Sequence, residues 1–134
     1  MPTLSQTDLE LLQGLAGRMI PASRAYDAPG ADDPVIFADV AAALQVGPAP
    51  LGDLVAELAV DAGGDLEGLR QRHGAAFAAV IVAVAQCYYR DDRVMRSLGM
   101  EARPPFPKGY ETPEGDWTLL DPVRGKGAIW RNAD

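Results

Sequence analysis

Leu9, Leu12, Leu15, Ala16, Met19 and Ile20 recur at steps of three and four residues, the spacing that gathers side chains on one face of an α-helix. Thr7 and Glu10 have the spacing of a capping box. A first amphipathic helix is therefore expected over about residues 7–20, ended by Pro21. The loop "PASRAYDAPGADD" leads to a second helix over about 34–45, capped by Asp32 or Asp33 and accepting Pro34 in its first turn. Val35, Phe37, Val40, Ala41 and Leu44 are its side chains available for burial. After the turn "VGPAP", Leu51, Leu54, Val55, Leu58 and Ala59 make a third stripe that closes at Gly63 and Gly64. A short fourth segment, Asp65–Arg72, is either separate from or continuous with a long apolar helix that reaches about Tyr89. That helix is hydrophobic all round, which predicts a central position covered by the others. Asp91 or Asp92 caps a last helix, Arg93–Leu98, stopped by Gly99. Before residue 100 there is no convincing period-two run and no internal repeat. The expected fold is all-α, a small bundle of about five or six helices.

From Met100 onward the pattern stops. Residues 100–134 hold prolines 104, 105, 107, 113 and 122, which exclude long helices and central strands. They also hold Phe106, Tyr110, Trp117 and Trp130, whereas disordered tails are usually poor in aromatics. We divide the chain into a helical domain, residues 1–99, and an extended, irregular Pro/aromatic-rich tail, residues 100–134. Fully extended, the tail would reach on the order of 100 Å. It either folds back over its own helices or lies across a partner with its aromatics as anchors. In both cases the prolines lower the ordering cost by restricting the free chain.

At 134 residues the chain is expected to hold one core. Twelve basic side chains stand against 19 acidic, a net charge of −7, which disfavours nucleic acid and anionic membrane surfaces as partners. The most apolar run, Ala75–Cys87, is well short of the roughly 20 residues that cross a bilayer, so direct membrane insertion is not expected. The start of the chain has no basic region and carries Asp8 and Glu10 within its apolar pattern, unlike an export signal, and a cytoplasmic location is the expectation. Cys87 is the lone cysteine and His73 the lone histidine. Cys87 reads as a small buried hydrophobe, and His73 as a helix-terminal residue rather than a general base. Asp32–Asp33 and Asp91–Asp92 resemble metal ligands only in composition, since each pair precedes a helix start where a carboxylate caps amides. "VRGKGAIWR" lacks the spacing and strand-to-helix context of a phosphate loop. No catalytic, cofactor-binding or metal-binding residue is assigned.

The segment "RMIPASRAYDAPGADDPVIFADV", residues 18–40, resembles the gluconate 2-dehydrogenase subunit 3 family. The resemblance lies in an apolar helix entering Ile20-Pro21-Ala22, then a gap, then Pro29-Gly30-Ala31 and a new helix near Val35. "YYRDDRVMRSLGMEARPPFPKGY" is similar to small subunits found beside glucose-methanol-choline-type oxidoreductases; together the two stretches cover roughly a third to a half of the chain. The resemblance implies a non-catalytic small (gamma) subunit that binds and stabilises a large FAD-dependent sugar or alcohol dehydrogenase subunit. FAD and the catalytic histidine then belong to the large subunit, none is bound by this chain, and a cytochrome c subunit is a further partner in that family. Such proteins often carry a twin-arginine export signal, and its absence here implies a cytoplasmic complex, or a periplasmic one whose signal is on another subunit. The anchors assigned to the partner contact are Arg103, Phe106, Tyr110, Trp117 and Trp130. The alternative is an autonomous helical ligand-binding module or small enzyme whose tail packs on itself.

Overall fold

Ser5 opens the first helix. Its hydroxyl accepts from the Asp8 amide at 3.1 Å while the Asp8 carboxylate accepts from the Ser5 amide at 2.9 Å, the reciprocal pairing of a capping box. The expected Thr7–Glu10 box is thus displaced by two positions; Ser5 and Asp8 share its spacing, and Thr7 already lies within the first turn. The computed structural model describes residues 4–47, 49–102 and 114–128. They form α1 (Gln6–Met19), α2 (Pro34–Gln45), α3 (Ala49–Val60), α4 (Leu66–Arg72), α5 (Gly74–Arg90), α6 (Asp92–Ser97), a 3₁₀ turn (Trp117–Leu120) and α7 (Asp121–Arg124). Among the described residues there is no strand, only an isolated bridge between Ser23 and Ala28. The architecture is a small all-α bundle. None of the described helices is long and apolar enough to cross a membrane.

The chain divides into two units, Met1–Pro104 and Pro105–Asp134. In the first, α5 packs against α1, α2, α3, α4 and α6, the central place its composition predicts. Ala76, Phe77, Val80, Ala83, Val84, Cys87 and Tyr88 form its buried stripe. Against it lie Leu12 and Leu15 of α1, Ile36 and Val40 of α2, Leu58 of α3 and Leu69 of α4, each at most 1% exposed. Burial of each Leu or Ile contributes about 1.5–3 kcal/mol. The open question about the fourth segment is resolved at His73, whose φ of −121° and ψ of 36° leave the helical region. Its amide closes α4 on Leu69 O at 2.9 Å, and its carbonyl accepts the Phe77 amide at 2.7 Å to start α5.

Two burial expectations need correction. Val35 is 66% exposed, because Ile36 takes its place on the face of α2 that meets the core, beside the expected Phe37 and Val40. The other helices also do not cover α5 all round: Ile81, Val82 and Tyr89 are 44%, 52% and 54% exposed.

The loop between α1 and α2 is closed on itself and tied to the core. The Ala31 amide donates to Ile20 O at 2.9 Å, Ser23 and Ala28 exchange two bonds at 3.0 Å, and the buried Tyr88 hydroxyl donates to Pro29 O at 2.9 Å. Asp27 turns the loop at φ 49°, a conformation Asp tolerates better than most residues.

Candidate partner-docking surfaces

The acidic pairs act as helix caps. Asp33, not Asp32, caps α2, accepting from the Val35 and Ile36 amides at 3.0 and 3.4 Å. Asp91, not Asp92, caps α6, accepting from the Arg93 and Val94 amides at 2.9 and 3.4 Å. One guanidinium joins the two caps. Arg93 donates to both Asp33 oxygens at 3.1 and 2.8 Å and to Asp91 Oδ2 at 3.1 Å. Bonds from Arg93, followed by the cap amides, hold both carboxylates below the usual range, despite an opposing effect of partial burial. The remaining member of the first pair, Asp32, lies over two glycines; a Cβ on Gly17 would meet Asp32 Cγ at 2.7 Å. Among the described residues, no three His, Cys, Asp or Glu side chains converge as metal ligands.

His73 and Cys87 also have structural settings. The His73 ring Nε2 faces Asp61 Oδ2 at 3.1 Å, and the same oxygen accepts from Arg72 Nε at 2.9 Å. These contacts clamp the end of α3 to the α4–α5 junction, and they hold the Asp61 carboxyl below its ordinary pKa, His73 having the larger effect. Arg18 adds a second tie, donating to Ala62 O at 2.7 Å and to Gly64 O. Cys87 is 4% exposed, and burial pushes its thiol pKa up, which is the setting of an inert core cysteine.

Among the described residues, two surfaces carry exposed apolar side chains with no described side chain packed on them. In the first unit, Ala43, Leu44, Gly47, Leu51, Ala79 and Val82 line a groove of about 440 Å³ between α2, α3 and α5, with Gln86 as the single side-chain hydrogen-bonding group among the described lining residues. The sequence signal for it is the run Gly74–Tyr89, which carries no charged residue; one face of that run is spent on the core and the other is left for the groove. In the second unit, Trp117 stands on the 3₁₀ turn, 68% exposed, beside Leu119, Leu120 and Val123, which are 75%, 43% and 49% exposed. The other assigned anchors, Arg103, Phe106, Tyr110 and Trp130, lie outside the described residues. Within the irregular tail, whose prolines exclude only long helices, Trp117–Leu120 is a 3₁₀ turn and Asp121–Arg124 a single short α-helical turn. The start signal is Asp116, whose carboxylate accepts from the Thr118 amide at 3.0 Å, and Pro122 occupies the first turn of α7. "VRGKGAIWR" begins at the end of this helix, where Arg124 pairs with Asp121 at 3.4 Å. Comparison with protein-family models, with curated proteins and with solved structures gives no match to this chain.

Proposed function

We propose that this chain is a non-catalytic small subunit that binds and stabilises a large FAD-dependent sugar or alcohol oxidoreductase subunit. The observation that carries the docking role is the uncharged outer face of α5. In a chain of net charge −7, Gly74–Tyr89 contains no charged residue, yet Ile81, Val82 and Tyr89 are about half exposed. Val82 also lines the apolar groove beside α2 and α3, and an exposed apolar surface of this kind marks a protein-interaction site. The nature of the partner rests on the resemblance carried by Ile20-Pro21-Ala22 and Pro29-Gly30-Ala31. These residues have a clear structural task, since Ile20 O and Pro29 O accept the bonds that close the loop. A Cβ on Gly30 would come within 3.0 Å of the Ala22 amide nitrogen.

In this reading the chain stabilises its partner by mass action: binding only the folded large subunit shifts that subunit's folding equilibrium. FAD and the redox chemistry belong to the large subunit, with a cytochrome c subunit as a further electron-accepting partner. The groove favours a protein occupant over a small molecule, because ligand pockets orient their ligands with several convergent polar groups and this one offers Gln86 alone among its described side chains.

The test is to isolate the tagged full-length chain from the cells that encode it and look for a co-purifying FAD-containing protein. That protein is then expressed alone, with the full chain, and with the chain ending at Ala102. Higher yield, flavin content and dehydrogenase activity with the full chain are expected. Equal values in all three preparations would overturn the subunit reading. The cut is placed after Ala102 because the Met100 amide still bonds Met95 O at 2.9 Å in the closing turn of α6.

A further inference from the structure

Among the described residues, the turn Trp117–Arg124 is held in shape by local contacts. Asp116 caps it through the Thr118 amide at 3.0 Å and the Thr118 hydroxyl at 2.6 Å. The 3₁₀ segment Trp117–Leu120 passes directly into α7, where Pro122 has a suitable fixed φ and lacks only an amide that would go unbonded at a helix start. None of these contacts buries an apolar side chain: every described residue from Glu114 to Ala128 is exposed.

The apolar residues nevertheless fall on one side. With about three residues per 3₁₀ turn, Trp117 and Leu120 stand one above the other. Val123 follows three residues later, and Leu119 widens the strip, while Thr118 and Asp121 fall opposite. A preformed turn with an unburied Trp-Leu-Val edge matches the helix-in-groove mode of recognition, in which anchors at helical spacing enter an apolar trough. Because the turn is already formed, little ordering cost remains to be met on binding.

Charge specifies the rim of that trough. From Gly109 to Val123 there is no Lys or Arg, whereas Glu111, Glu114, Asp116 and Asp121 are acidic; Arg124 and Lys126 then follow. A receiving groove must carry cations along the side that meets the start of the turn. We infer that Trp117, Leu120 and Val123 insert into an apolar, cation-rimmed groove on the large subunit, with Trp117 as the central anchor. The inference rests on the subunit reading above and assigns Leu120 and Val123 as docking residues beside Trp117.

The experiment compares full-length wild type, W117A/L120A and W117F for binding to the purified flavoprotein partner, at low and high salt. Far-UV circular dichroism checks that the helical content is unchanged. The double variant is expected to bind at least about tenfold more weakly and W117F within about threefold of wild type, with wild-type affinity falling as salt rises. Acrylamide quenching of wild type against W117F isolates the Trp117 indole, which should be accessible in the free chain and shielded in the complex. If the double variant binds as tightly as wild type, the inference falls and the subunit reading stands. If no flavoprotein binds the wild type, both fall. If sedimentation shows that the free wild type self-associates and W117A/L120A restores the monomer, the turn's occupant is a second copy and the inference is overturned.

Discussion

Arg93 is the side chain on which two helix starts depend. Its guanidinium neutralises the caps of α2 and α6 together, and the three groups therefore behave as one acid-sensitive unit. Asp33 and Asp91 titrate below their ordinary range. Carboxylates depressed in the folded state contribute stability that is fully present above the unfolded pKa of about 3.9 and is lost as pH falls through the folded values. Urea midpoints for wild type should therefore drop as pH falls from about 5 towards 2. In D33N/D91N that acid slope should be shallower, with the remainder carried by Asp8, Asp61, Glu67 and Asp116, which are also depressed. An unchanged slope would refute the role given to this cluster. At neutral pH, D91A should cost about 1–2 kcal/mol through loss of its cap. Tyr88 makes a separate contact: Y88F removes the bond to Pro29 O and should cost about 1–3 kcal/mol, because a partly buried carbonyl loses its partner. That a carboxylate would cap α2 and α6 was legible in the sequence, but which of two adjacent aspartates does so was not. Asp32 and Asp33 have the same chemistry, and the choice depends on the backbone direction entering α2 and on the arrival of Arg93 from 60 positions away.

Two glycines in neighbouring elements make opposite predictions. Gly14 sits within α1, and an added Cβ there meets nothing within 4 Å. G14A should stabilise the protein by about 0.5–1 kcal/mol, since glycine carries an entropic cost in a helix. At Gly30 the added Cβ meets the Asp32 side chain and the Ala22 backbone nitrogen at 3.0 Å. The Asp32 carboxyl can rotate away but the backbone cannot, so G30A should destabilise by about 1–3 kcal/mol. Thermal unfolding of the two variants side by side checks both signs. The end of α6 shows how far an element is decided locally. Gly99 at φ 73° with the Gly99 to Arg96 and Met100 to Met95 bonds forms a Schellman stop, and the glycine at that position already announced it. The separation of α4 from α5 was less legible. No proline marks it, and Gly74 is compatible with either outcome. The break comes where His73 and Arg72 both turn to Asp61.

At the scale of the whole molecule, every buried side chain among the described residues lies between Leu4 and Val94, so the first unit has a hydrophobic core of its own. A chain ending at Ala102 should melt cooperatively within about 1 kcal/mol of full length, while losing the partner contact assigned to Trp117. Conversely, V82E should leave folding nearly untouched, because Val82 is 52% exposed, yet place a charge in the groove of α5 and weaken any complex formed there. Calorimetry on both chains together with a binding titration separates the two effects. A large fall in melting temperature for V82E would mean that this face belongs to the core rather than to an interface.

Over residues 1–99 the sequence by itself determined which segments are helical and, the α4–α5 junction apart, roughly where each starts and stops, because apolar spacing, capping side chains, proline and glycine act within a few residues of themselves. It also announced an uncharged central helix and an aromatic tail. Only the tertiary structure decided which face of α5 is consumed by the core and which remains open, that Ile36 rather than Val35 points inward, and that two distant aspartates share one arginine. Those outcomes depend on how helices meet across tens of residues of chain, where close packing admits one arrangement and the local pattern is compatible with several.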